Sequence, residues 1–354
     1  MRQKARTSAG RENMQKLVTQ FDAQDLNPPG RIVNSLKGDP AEQRANQWLE
    51  WGKLTADLDV ALLGMPFDGA STVRTGSRHA PDAVRQALAY YTTFSTRDGK
   101  SMGHLKAADI GDIAVIATNM QESFRRLNRV MSFIFRNKIV PVTIGGDHSI
   151  AWPILEAATG CYGDQGVGVI HFDAHHDLRE AHFGAESSGV PFRKALNFKE
   201  DPVAGRNLVQ IGIADFCNAP AHLKYAREQG VTVFSNIEVR ETGIDKIIDT
   251  AIARAGKGVE AIYVSVDIDA LDHSQAPGTA APNASGLDAR DVQRALRRLG
   301  QHPKVIGLDI VEISPPLDIN DMTANTGAML ALNFLYGVGC RTQQAAAKPK
   351  KKKR

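Results

Sequence analysis

The run Asp173-Ala174-His175-His176-Asp177 directly follows Val167-Gly168-Val169-Ile170-His171-Phe172, six residues that read as a buried strand. On an extended backbone, side chains two apart point the same way, so Asp173, His175 and Asp177 share one face. Two carboxylates and an imidazole crowded at a strand end are costly unless positive charge sits between them. A divalent cation fits that place, because carboxylate and neutral imidazole are its usual ligands.

Two further segments repeat the pattern. Gly145-Gly146-Asp147-His148-Ser149 follows the apolar run Ile139-Val140-Pro141-Val142-Thr143-Ile144, and Ser265-Val266-Asp267-Ile268-Asp269 closes Ala261-Ile262-Tyr263-Val264. In open α/β sheets, ligands bind in the crevice outside the carboxyl ends of the strands. Three strand ends bearing oxygen and nitrogen donors therefore point to one site. His148, Asp173, His175, Asp177, Asp267 and Asp269 suffice for a two-metal cluster, in which four carboxylates balance two divalent cations.

In this order, the blocks Gly-Gly-Asp-His-Ser, Asp-Ala-His-x-Asp and Ser-x-Asp-x-Asp resemble the ureohydrolase (arginase/agmatinase) superfamily. The third block continues as Ala270-Leu271-Asp272 and Ala276-Pro277-Gly278-Thr279, with Pro282 and Gly286 beyond, as that signature does. The likeness runs from Asp59 to Leu335. It implies a three-layer α/β/α fold with a mostly parallel eight-stranded sheet, assembled as trimers or hexamers. It also implies two manganese ions that activate a bridging hydroxide for attack on a guanidino or amidino carbon. The six residues above fall on the family's metal-ligand positions. Asp177 matches the position that touches both metal and hydroxide, the candidate proton shuttle. Glu312, in Asp309-Ile310-Val311-Glu312-Ile313, matches the carboxylate that pairs with the cationic amidino group.

Short apolar runs alternate with amphipathic stretches, as in a parallel sheet wrapped by helices. The expected strands are 59–64, 139–144, 167–172, 208–213, 231–234, 260–266 and 304–310. The expected helices are 120–137, 148–158, 221–228, 243–255, 289–299 and 324–336. We expect a partly ordered arm over 1–35, a single domain over 36–340 and a disordered basic tail over 341–354. The chain has 354 residues, 42% hydrophobic and 23% charged, enough to bury a large core. Its net charge of +4 is misleading, because six positive charges lie in the last seven residues and the remainder is slightly acidic. The body is thus no nucleic-acid binder by charge, and no apolar stretch reaches the length of a membrane span. Cys161, Cys217 and Cys340 read as cytosolic thiols, which places the chain in the cytoplasm.

Substrate choice rests on departures from the family pattern. Arginases and agmatinases carry a His-Gly-x-Pro run after the metal pentad, whereas here the segment is Ser187-Ser188-Gly189-Val190-Pro191. Ser188 cannot shuttle a proton at neutral pH as imidazole does. Formimidoylglutamases look like this sequence here, and they also favour an Arg after the pentad, as in Asp177-Leu178-Arg179. N-formimino-glutamate carries two carboxylates, so its pocket needs fixed positive charge. Arg179 and Arg193 are the candidates to clamp a carboxylate, and Arg74 and Arg78 are weaker ones. The expected substrate is this anionic amidine, released as glutamate and formamide. Agmatine, guanidinobutyrate and guanidine remain alternatives, because Gly64-Met65-Pro66-Phe67-Asp68-Gly69 and Pro277-Gly278-Thr279 look as much like agmatinases. A non-catalytic member of the fold has no physical need for four clustered acids. A single-zinc deacetylase on the related fold would want a Tyr near the metal, and no Tyr follows these blocks closely.

Overall fold

The computed structural model describes residues 25–30, 41–181 and 186–347. In chain order its strands are β1 (Leu26–Asn27), β2 (Val60–Gly64), β3 (Phe94–Ser95), β4 (Lys100–Ser101), β5 (Ala107–Ile113), β6 (Val140–Ile144), β7 (Val167–Phe172), β8 (Leu208–Ile213), β9 (Thr232–Ser235), β10 (Ala261–Asp267) and β11 (Val305–Val311). β3 and β4 form a small antiparallel ladder of their own. The other nine make one sheet in the order β1-β5-β2-β6-β11-β10-β7-β8-β9. Eight of them pair in parallel, as expected. β1 adds an antiparallel edge beside β5, so part of the expected arm belongs to the sheet.

Strands β2, β6, β7, β8 and β10 are buried on both faces, which is why they read as continuous apolar runs. Along β2, Val60 and Leu62 face one layer while Ala61 and Leu63 face the other. The first layer includes helices Ala80–Leu88, Ile244–Ala255, Ala289–Gln301 and Met322–Ala347. The second includes Met120–Arg136 and Ala151–Tyr162. Helix Met120–Arg136 starts where the Asn119 side chain accepts from the Glu122 N–H. It buries Phe124, Leu127, Val130, Met131, Ile134 and Phe135, spaced as one helical stripe.

The seven expected strands are present, with no end shifted by more than one residue. The eighth parallel strand, β5, and the helix Ala80–Leu88 were not expected. Asp109 and Asp112 break the apolar run of β5, and both are buried. Arg85 on the unexpected helix neutralises them, with Nε 2.7 Å from Asp109 and Nη1 2.7 Å from Asp112.

The segment expected as helix 148–158 opens as a 3-10 turn, His148–Ile150, and becomes α-helical at Ala151. The last helix, Met322–Ala347, runs past residue 340, where the tail was expected to begin. The rest of the expected tail, and most of the expected arm, lie outside the described residues. Among the described residues no helix is long and apolar enough to cross a membrane. All three cysteines are free thiols.

Candidate metal centre

Four adjacent strands in the middle of the sheet, β6, β11, β10 and β7, deliver the site at their carboxyl ends. Their register brings the ends level. Val266 pairs with Phe172 and Asp267 with Val311, so Asp173 arrives beside Asp267 and Glu312 follows immediately on the neighbouring strand. After β6 the chain turns over Gly146, where a Cβ would come 1.6 Å from the Phe67 carbonyl oxygen. Asp147 secures the turn, accepting from the Ser149 N–H at 3.0 Å and the Ala70 N–H at 2.8 Å. Asp177 and Glu312 both hold left-handed backbone, at φ 51° and 63°. Such conformations are rare for side-chain-bearing residues and gather at functional sites.

The six expected ligands converge. His148 Nδ1 lies 3.1 Å from Asp173 Oδ2, 3.0 Å from Asp177 Oδ2 and 3.3 Å from Asp267 Oδ2. His175 Nδ1 lies 3.0 Å from Asp269 Oδ2 and 3.3 Å from Asp173 Oδ1. Asp173 thus turns one oxygen to each imidazole. The opposite edge of His148 is fixed, because its Nε2 meets Ser265 Oγ at 2.9 Å and Ser265 donates to Asp309 Oδ1 at 2.6 Å. That relay holds the ring with its proton on Nε2, leaving the Nδ1 lone pair aimed at the acids.

The cluster is short of positive charge. Burial, then Asp269 and Asp173, push the Asp267 carboxyl well above its usual range. Asp269 is pushed up to about 6, by burial and by Asp173, against the opposing pull of His175. Burial lowers the His148 imidazole, yet the surrounding Asp173, Asp177 and Asp267 raise it well above its ordinary value. Buried His148 Nδ1 has no hydrogen-bond partner despite its three acidic neighbours. An orphaned imidazole nitrogen facing carboxylate oxygens is the donor set of a divalent-cation site. Asp173, His175 and Asp269, and separately His148, His171 and Asp173, bring ligand atoms close enough to share an ion.

A narrow crevice of about 50 Å³ opens over the cluster, lined by His175, Asp177, Asp267, Asp269 and Glu312 together with Ser71, Arg179 and Ser188. Glu312 Oε1 accepts the His148 N–H at 2.9 Å, and its buried Oε2 has no partner. Burial, then the nearby Asp147, raise its carboxyl well above the usual range. Arg179 stands at the crevice.

Arg193 does not. It donates to the Leu178 carbonyl and to Glu180 and stacks 4.0 Å from the Tyr225 ring, so neighbouring groups already satisfy it away from the crevice. Arg74 binds the carbonyls of Thr279 and Ala280, and Arg78 pairs with buried Asp68. Both act structurally. A larger cavity of about 600 Å³ is lined by His176, Phe216 and Arg227 among others, and by none of the six candidate ligands. Sequence reading missed Ser265 and Asp309 as supports, although Ser265 stands two residues before Asp267 and faces the same way.

The family model for the arginase family matches residues 58–337. The chain belongs to the arginase family. A formimidoylglutamase of Halalkalibacterium halodurans is 38% identical over 278 residues, 78% of this chain and 86% of its own. A guanidinopropionase of Pseudomonas aeruginosa is 33% identical over 301 residues, 83% of this chain and 89% of its own. The structure of formimidoylglutamase from Bacillus subtilis, 31% identical, covers 87% of this chain and 96% of that one with a TM-score of 0.81. A Trypanosoma cruzi formiminoglutamase solved with Mn2+ covers 85% and 99%, at 25% identity and a TM-score of 0.78. This arginase-family chain is accordingly an amidinohydrolase.

Proposed function

We propose that the chain hydrolyses N-formimino-L-glutamate to glutamate and formamide with two manganese ions. The observation that carries the substrate is Arg179, which lines the crevice and takes part in none of the ion pairs found among the described residues. A half-buried guanidinium that makes no ion pair among the described residues suits a ligand carboxylate, which it can hold bidentately. An agmatine-type ammonium would meet that charge unfavourably.

His148, Asp173 and Asp177 would hold one cation and His175, Asp173 and Asp269 the other, with Asp267 at the first. When bound, such a pair supplies a nucleophilic water at neutral pH. The chain's own groups do the rest. Glu312, with Oε1 fixed by the His148 N–H, keeps Oε2 for the cationic amidino nitrogen. Asp177, at the crevice wall, takes the proton from the attacking water and passes it to the leaving nitrogen. Ser71 Oγ, buried and without a partner, and Ser188 add hydroxyl donors for the glutamate end. The same reading carries the family's assembly into trimers or hexamers, which light scattering would measure.

A second reading is hydrolysis of a guanidino acid with release of urea, favoured by the guanidinopropionase relative. Its substrate carboxylate would use Arg179 equally. A screen with manganese over formimino-glutamate, guanidinopropionate, guanidinobutyrate, agmatine and arginine separates them. Formamide release at kcat/KM roughly 100-fold above any urea release supports the first reading. Urea from a guanidino acid with no turnover of formimino-glutamate overturns it in favour of the second.

A further inference from the structure

A row of polar side chains crosses the buried sheet one step below the crevice. Thr143, Asp309, Ser265, His171 and Gln210 are register partners on five adjacent strands, each with no solvent exposure. Apart from Tyr263 and Asp267 on β10, their strands are otherwise apolar. The half of the row that ends on Ser265 supports His148. The other half has no assigned role.

Its hydrogen bonds run in one direction. The His176 carbonyl can only accept, so the Gln210 group 2.7 Å from it is the amide nitrogen. That nitrogen also lies 3.2 Å from His171 Nδ1, which therefore accepts. Gln210 Oε1 in turn accepts from His176 Nδ1 at 2.7 Å. With Nδ1 accepting, His171 carries its proton on Nε2, 2.8 Å from Asp173 Oδ2. Phe192 closes the other side, with its ring centroid 3.9 Å from that of His171.

We propose that His171, oriented by Gln210, is the positioning residue that fixes how Asp173 divides its two oxygens between the two halves of the metal centre. The inference rests on the reading of Asp173 as a ligand to both cations. His171 Nε2–H occupies one lone pair of Oδ2, and the His175 backbone N–H, 2.6 Å away, keeps Oδ1 on the His175 half, so the carboxylate is held at both oxygens. His171 is then a donor to a ligand and not itself a ligand, although its distance from His148 and Asp173 would allow a shared ion. A carboxylate free to rotate would serve one cation at the expense of the other.

The test is manganese titration of the chelator-stripped full chain by calorimetry, with electron paramagnetic resonance of the loaded protein. The wild type is expected to take up two ions per subunit and show a spin-coupled pair. His171→Phe keeps the packing against Phe192 and removes the N–H. It should weaken the weaker site by about 10–100-fold and give an uncoupled signal, with the near-UV circular dichroism of the stripped protein intact. His171→Gln restores an N–H and should recover most of the affinity. Gln210→Met, which does not touch Asp173, should weaken binding by about 10-fold, the lower end of the same range. It also serves as the test if His171→Phe does not fold.

Wild-type affinity and coupling in His171→Phe, or in Gln210→Met, overturn the proposal. Failure of His171→Gln to recover any affinity does the same, by showing that only ring packing matters. A wild type that binds no manganese overturns the metal centre itself, which the wild-type arm shows before any variant is read.

Discussion

Arg85 reaches Asp109 across 24 residues of sequence, its Nε 2.7 Å from the carboxylate, and both side chains are buried. The same guanidinium holds Asp112. Removing one partner of a buried ion pair leaves uncompensated charge, at a cost of about 3–5 kcal/mol. Arg85→Met should lower the stability of the stripped protein by that amount in urea unfolding. A loss below about 1 kcal/mol would mean water reaches the two acids.

Arg179 and Arg193 should separate in kinetics. Arg179→Met removes charge-assisted hydrogen bonds worth about 1.5–3 kcal/mol, so KM for the anionic amidine should rise roughly 10–100-fold while kcat changes little. Arg193→Gln should change neither, since its partners are Glu180 and the Leu178 carbonyl. Equal effects from both would put the carboxylate site elsewhere.

Asp267→Asn should act in opposite directions with and without metal. It removes a proposed ligand, so metal analysis after dialysis should fall from two ions per subunit toward one. Activity should fall by at least about 100-fold, the upper end of what an outer partner costs. Without metal it relieves like-charge crowding with Asp269 and Asp173, so the thermal midpoint of the stripped protein should rise. A lower midpoint in chelator would contradict the charge shortage described for the cluster.

Asp309 sets a pH-dependent term beneath the site. Burial pushes its carboxyl up to about 6, against the pull of His148 and of its hydrogen bond with Ser265. Its unfolded value is near about 3.9. The folded state therefore favours the neutral acid. Its contribution to stability is present below pH 4 and is lost as the pH rises toward 6. Asp309→Asn does not titrate, so in chelator its midpoint should gain on the wild type between pH 4 and 7. A constant difference across that range would show that Asp309 is already ionised when the chain folds.

The candidate metal ligands were legible because each sits at or just after the end of a continuous apolar run, and the alternation of an extended chain puts Asp173, His175 and Asp177 on one face. β5 was not, because Asp109 and Asp112 look like surface residues until Arg85 is found on a helix that precedes them. His171 was hidden for a related reason. It lies inside a strand, and its partner Gln210 stands opposite it only through the register of β7 with β8. Arg193 misled because nearness in sequence to the pentad says nothing about direction, and Tyr225 and Glu180 draw it outward.

The order of the four central strands also bears on when the cations can enter during folding. β7, β10 and β11 lie side by side with β6, yet the chain visits β8 and β9 between β7 and β10. No amino-terminal portion of the chain that stops before β10 holds Asp267 or Asp269. On the proposed two-metal reading, tight uptake of the pair therefore awaits synthesis through Asp269. Cations held by that set would favour only a sheet that includes β10, so on this reading metal supply would shift the folding equilibrium of the full-length strand set.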